Sequence, residues 1–133
     1  MAEISKRKFE FSAVHHMLGL ELQERSDSHA VITMEPKPEF LQEEGVVQGG
    51  ILTALADAAA VYVTLPDLPV DRTMTSIEFK LNFLRPALLE GGTLTARSKL
   101  IKGGRTIALV KSTLTQGDRE IATGLFTYML MDR

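Results

Sequence analysis

The chain has no cysteine and no tryptophan among its 133 residues. The missing cysteine excludes disulfide scaffolds, thiolate zinc sites, iron–sulfur clusters and cysteine nucleophiles. Surplus charge is also missing. Fifteen Lys and Arg against 17 Asp and Glu leave a formal charge of −2, so no basic field exists to hold nucleic acid or anionic lipid. Neither nucleic acid nor membrane is an expected partner. Met1 to Glu10 (MAEISKRKFE) lacks the apolar stretch of a translocation signal, and the expected location is cytoplasmic. The longest run free of Asp, Glu, Lys and Arg is Gly45 to Ala56, 12 residues, whereas about 20 are needed to cross a bilayer. Joining it across Asp57 to Pro66 places a carboxylate near mid-span, so a buried core helix is the reading. What the chain does have is apolar material, 44% of its residues against 24% charged, enough to offset the ordering cost of a fold. One globular domain over residues 1–133 is expected, with no room for a separate cofactor domain.

Phe11, Val14, Met17 and Leu18 recur at spacings of three and four before Gly19, which predicts a short amphipathic helix with a glycine stop. Leu20 to Gln23 and Ala30 to Met34 alternate as a strand pair around the turn-like Arg25-Ser26-Asp27-Ser28. Pro36 and Pro38 end the second strand, and a loop runs from Phe40 to Gly45. Gly49 to Val63 is rich in Ala and Leu and apolar almost all round, the pattern of a buried helix, stopped by Pro66 and Pro69. The period then changes to two. Ile77, Phe79, Leu81 and Phe83 alternate with Ser76, Glu78, Lys80 and Asn82, which predicts a strand with the first set facing the core. Three more β-prone runs, Thr93 to Ile101, Thr106 to Thr115 and Ile121 to Met131, read as an antiparallel meander. The fold class is α+β, one antiparallel sheet wrapped around one long helix.

Asp57 is the only charged residue between Glu44 and Asp67 and lies near the middle of the most apolar helix. A buried carboxylate without partners costs several kcal/mol. It is therefore ion-paired with Arg72, Arg85 or Arg105 or slotted into a subunit interface, or it is a base or nucleophile tuned by its surroundings. Gly49-Gly50 precede the first apolar turn, where unpaired N–H groups and the positive end of the helix dipole favour negatively charged oxygen. The competing reading is a tight entry turn. Gly49 and Asp57 are separated by about 12 Å along a helix, too far for both to touch one carbonyl from the same chain. Two helices antiparallel across a twofold axis would instead create two equivalent composite sites.

Gln42-x-x-Gly45-x-x-Gln48-Gly49-Gly50-x(6)-Asp57, followed by Ser76-Ile77-Glu78-Phe79-x-x-Asn82-Phe83-Leu84-Arg85-Pro86-Ala87, resembles the hotdog-fold acyl-CoA thioesterases of the PaaI-like branch of the hydroxybenzoyl-CoA thioesterase superfamily. The resemblance spans about Phe11 to Met131. It implies a homodimer, usually paired again into a homotetramer, that hydrolyses acyl-CoA thioesters at the dimer interface without metal or organic cofactor. It makes Asp57 the catalytic carboxylate and Gly49 the residue whose N–H polarises the thioester carbonyl. It places Gln42 near the thioester or the water, and Ser76 where it orients the attacking water. It also sets Gln48 and Gly50 beside the substrate. The departure is Gln48, where many members carry His; an amide donates a hydrogen bond but cannot become a cation. That substitution motivates a second expectation, an acyl-CoA binder with weak turnover.

Arg85, Lys102 and Arg105 are candidate contacts for coenzyme A phosphates, or ordinary solvated strand-end charges. His15, His16 and His29 show no metal-ligand spacing and read as surface or helix-end residues, with His16 an alternative candidate for the pocket rim. No Gly-x-Ser-x-Gly elbow, P-loop or dinucleotide fingerprint occurs.

Overall fold

Helix α1 (Ala13–Leu18) ends where Gly19 takes a φ of 72°, the left-handed stop that glycine adopts without steric cost. The computed structural model describes residues 11–133; residues 1–10, on which the expected lack of a translocation signal rests, lie outside the described residues. The chain continues through β1 (Glu21–Arg25) and β2 (His29–Met34), a 3₁₀ turn at Pro38–Phe40, helix α2 (Gly49–Thr64) and a second 3₁₀ turn at Leu65–Asp67. Strands β3 (Arg72–Phe83), β4 (Leu94–Gly103), β5 (Ile107–Gln116) and β6 (Arg119–Asp132) complete it. All six strands form one antiparallel sheet in the order β1-β2-β4-β5-β6-β3. The expected meander is the β4-β5-β6 run, and β3 crosses to the far edge.

Helix α2 packs on one face of this sheet. Leu55, Ala56, Ala58, Ala59 and Ala60 are fully buried, and the alanines let helix and sheet approach closely. Two buried serines exploit that approach. Ser98 Oγ donates to the Ala59 carbonyl at 2.6 Å and Ser112 Oγ to the Ala56 carbonyl at 3.0 Å. At the other end of the chain of contacts, Arg25 caps the carboxyl end of α2. Its guanidinium donates to the Tyr62 and Val63 carbonyls at 2.6 and 3.2 Å and pairs with Asp67 at 2.6 Å, satisfying carbonyls that a helix end leaves free. The stretch Gly49–Asp67 is apolar and long enough to cross a membrane, and half of it is buried inside the fold.

Strand β3 departs from the expected alternation. Ser76 pairs with Tyr128 and Glu78 with Thr127, so Ile77 is an extra residue in a β-bulge. Beyond the bulge, Phe79 pairs with the buried Phe126 and Phe83 with the buried Ala122. Directly paired residues share a face. Ser76 therefore lies on the same face as Phe79, and Ile77 is not part of the regular Phe79-Leu81-Phe83 set. The expectation that this face meets the core holds only in part within one chain: Leu81 packs against it and the Phe79 ring stacks on Phe126. Ile77, Phe79 and Phe83 are 50–52% exposed, because β3 is an edge strand reaching past the helix. Glycine is required at 124 for a related reason: a Cβ there would overlap the Lys80 carbonyl of β3.

Candidate functional site

Helix α2 begins at Gly49, with Gln48 as its N-cap; the Gln48 Oε1 accepts the Ile51 N–H at 3.1 Å. That carbonyl oxygen is thus spent on the helix end, leaving the exposed amide nitrogen to donate. Gly50 is exposed, and a Cβ there would meet Gln48 Oε1 at 2.7 Å, so this glycine makes room for the cap. Among the described residues, the N–H groups of Gly49 and Gly50 have no hydrogen-bond partner. The loop leading in is braced by Gln42 N–H to the Val46 carbonyl at 2.9 Å, Val47 N–H to the Ala87 carbonyl at 2.9 Å and Gln48 N–H to the Phe40 carbonyl at 2.8 Å. Buried Gln116 anchors the facing loop through the Leu88 and Gly92 carbonyls. Between these loops lies a cleft of about 410 Å³ that brings together Gln42, Gly49 and Arg85, walled by Leu52, Phe83 and Pro86. Arg85 is only partly committed there, donating one N–H to the Glu120 carbonyl at 3.0 Å.

Asp57 lies outside this cleft. The expected arginine partners are engaged elsewhere: Arg72 on Asp132 at 3.3 Å and Arg85 on Glu120. The partner found is Tyr128 of β6, whose phenol donates to Asp57 Oδ1 at 2.6 Å. Ser76 stands opposite Tyr128 across the β3–β6 ladder, brought to that face by the bulge. His15 is within electrostatic reach of Asp57 and sits 2.6 Å, Nδ1 to Oη, from Tyr62. Burial lowers the His15 pKa from its ordinary 6.5, the Asp57 charge opposes that shift, and His16 adds to it. Tyr128 and Tyr62 are site neighbours that the sequence reading did not single out, and His15, expected at the surface or a helix end, is instead half-buried against Tyr62. His16 is exposed, with its ring edge-on to Phe11.

Lys102 and Arg105 are not in the Gly49 cleft. Gly103 and Gly104, the hairpin tip they flank, line a separate hollow with Val63, Thr64 and Asp67, at the carboxyl end of α2. In one chain, the proposed phosphate contacts are thus divided between the two ends of the helix. The described residues hold no cluster of three His, Asp or Glu side chains suited to a metal ion.

The pattern that defines the thioesterase superfamily matches residues 44–123, from the loop before Gly49 through most of the meander. The chain belongs to the thioesterase superfamily. A Haemophilus influenzae protein named as an esterase is 32% identical over 96 residues, covering 72% of this chain and 67% of its own. A solved thioesterase-family protein from Silicibacter pomeroyi superposes with a TM-score of 0.84 at 27% identity, covering 92% of this chain and 91% of its own. The PaaI protein of Escherichia coli superposes with a TM-score of 0.83 at 23% identity, covering 90% and 85%. The fold is therefore the hotdog fold of these thioesterases, and the chemistry of the superfamily is thioester hydrolysis.

The environment of this thioesterase's only two tyrosines carries a pH prediction. Burial raises the Tyr62 pKa far above its ordinary value; burial first, then the Asp57 charge and hydrogen bond, raise Tyr128 further. Each phenol thus binds its proton more tightly when folded, so its stabilising contribution is complete below about pH 10 and is lost as pH rises beyond it. Phenolate absorbance is expected to stay flat through that range and to appear only with cooperative unfolding, followed in parallel by circular dichroism. A gradual rise centred near pH 10 in the folded protein would contradict this assignment.

Proposed function

We propose that the protein hydrolyses an acyl-CoA thioester to the free acid and coenzyme A, at a site shared between two copies of the chain. The observation that carries this reading is the placement of Asp57. Its carboxylate is held by a neutral phenol rather than neutralised by an arginine, at the β6–β3 end of the sheet. The free N–H of Gly49 opens into a different cleft about 12 Å along the same helix. The chain thus carries two half-sites, and a second copy with its α2 antiparallel joins each to its complement. Support for such pairing comes from β3, an unpaired edge bearing the half-exposed Phe79 and Phe83, which soluble proteins seldom leave open.

In the composite site, the Gly49 N–H of one protomer faces the thioester oxygen, where the helix dipole also favours developing negative charge. Asp57 of the other takes a proton from water as the hydroxyl adds to the carbonyl carbon. The tetrahedral intermediate collapses by breaking the C–S bond, and the proton held on Asp57 passes to the departing thiolate. An alternative first step has Asp57 itself attack the carbonyl, with water then hydrolysing the resulting anhydride. Gln42 at the cleft and Ser76 beside Tyr128 position the reactants, and Arg85 at the rim is available to a phosphate. Lys102 and Arg105, near the carboxyl end of α2, become phosphate candidates for the opposite protomer's cleft in the antiparallel pair. The enzyme needs no metal or organic cofactor in this scheme and works in the cytoplasm, as a dimer or as a dimer of dimers.

A panel of aryl- and fatty-acyl-CoA substrates, with released thiol as the readout, tests the reading. Thiol release on at least one member, by a species of twice the chain mass or more, is expected. Because Gln48 supplies no cation, the competing reading is a binder: saturable binding with no thiol release on any member would establish that and overturn hydrolysis.

A further inference from the structure

We propose that Tyr128 is a positioning residue for this hydrolysis, tying one carboxylate oxygen of Asp57 to the sheet so that the other alone faces the reacting water. The proposal rests on the hydrolytic reading above and extends it to a residue outside the motif that carries the resemblance. Tyr128 is 1% exposed, and its ring is packed in the core on the helix-facing side of β6. Its phenol and Asp57 Oδ1 are 2.6 Å apart, within the range of a charge-assisted O–H bond to a carboxylate. Among the described residues, no other side chain donates to that carboxylate.

The bond is more than a way to satisfy a buried phenol. The backbone carbonyl of Asp57 lies 3.5 Å from the same hydroxyl, an acceptor that would have served with a small adjustment. The phenol takes the carboxylate instead. Among the described residues, the charged and titratable groups facing Asp57 are Tyr128 from β6 and His15 from α1, and burial works against a cationic His15. The phenol stays protonated because burial and the Asp57 charge both oppose its ionisation, so it remains a donor across the working pH range. Asp57 thus keeps Oδ1 occupied and Oδ2 open, and side-chain rotation that would turn Oδ2 away from the water must break a short bond.

Tyr128→Phe keeps the ring and removes only the hydroxyl. It is expected to lower kcat by about 10- to 100-fold with KM within about twofold of wild type, the loss that misplacement of a reacting group produces. A purely structural role would lower the melting temperature and leave kcat per folded molecule in place. Tyr128→3-fluorotyrosine, which keeps both ring and hydroxyl, is expected to retain kcat within about threefold and guards against misfolding of the Phe variant. Asp57→Asn is assayed alongside. If Asp57→Asn is inactive while Tyr128→Phe keeps the wild-type kcat, the role of Tyr128 is overturned and the hydrolytic reading stands. If Asp57→Asn retains turnover, or the wild type releases no thiol, the hydrolytic reading fails and this role fails with it.

Discussion

Asp57→Asn is expected to lose at least about 1,000-fold in kcat on any acyl-CoA that the wild type hydrolyses, while fold and assembly mass stay unchanged. Asn has the shape of Asp, and its amide oxygen can accept the Tyr128 hydroxyl where Asp57 Oδ1 does at 2.6 Å. What it cannot do is take a proton from water or form an acyl anhydride. Stability is expected to survive because the observed partner is neutral. Had Asp57 been paired with Arg72 or Arg85, the substitution would have stranded a cation, but those side chains are engaged by Asp132 and the Glu120 carbonyl. Steady-state thiol release, thermal melts and sedimentation check the three parts separately. Turnover within about tenfold of wild type would remove Asp57 from the mechanism, whatever the melts show.

The long helix, the six strands and the Gly49–Asp57 spacing were legible because each depends on local periodicity or on counting along one helix. The N-terminal helix was legible through Gly19, whose φ of 72° matches the glycine stop expected there. Three features were not. The bulge at Ile77 breaks a period-two pattern that otherwise holds from Ser76 to Asn82, and only pairing with β6 reveals that Ser76 and Phe79 share a face. Tyr128 sits 71 residues beyond Asp57, so their bond is a product of topology. A signal for it did exist. Phe126, Tyr128 and Leu130 alternate on the buried side of β6, and a phenol on that side needs an acceptor just as Asp57 in an apolar helix needs a donor. Gln48 illustrates the opposite limit: read as a departure from a histidine, it proves to cap its own helix. The charge of an absent His was readable from the letters, but the hydrogen bond made by the Gln was not.

Mixing two inactive variants, Asp57→Asn and Gly49→Pro, is expected to restore thioester hydrolysis to about one quarter of the wild-type level. Proline at 49 removes the N–H assigned to the thioester oxygen and little else. Gly49 is the first helical residue, a position proline favours, and Gln48 already holds the extended conformation, φ −64° and ψ 137°, that precedes proline. A Cβ at 49 would lie 3.3 Å from Phe83 Cζ, and that ring, half exposed, has room to give way. Alone, Gly49→Pro is expected to lose about 100- to 1,000-fold in kcat, the usual loss for one oxyanion donor. In a mixed pair, the Asp57→Asn chain still supplies a native Gly49, and the Gly49→Pro chain still supplies a native Asp57. These two meet in one intact site, while the second site of the pair carries both defects. Random exchange makes half of all pairs mixed, and each mixed pair has one working site of two, which gives the quarter. Co-refolding or co-expression followed by thiol-release assay reads the result. If Gly49 and Asp57 acted from the same chain, every site would carry one defect or the other, and the mixture would stay as inactive as its parents. Restoration would thus locate the catalytic unit between chains, where the length of one helix separates its two halves.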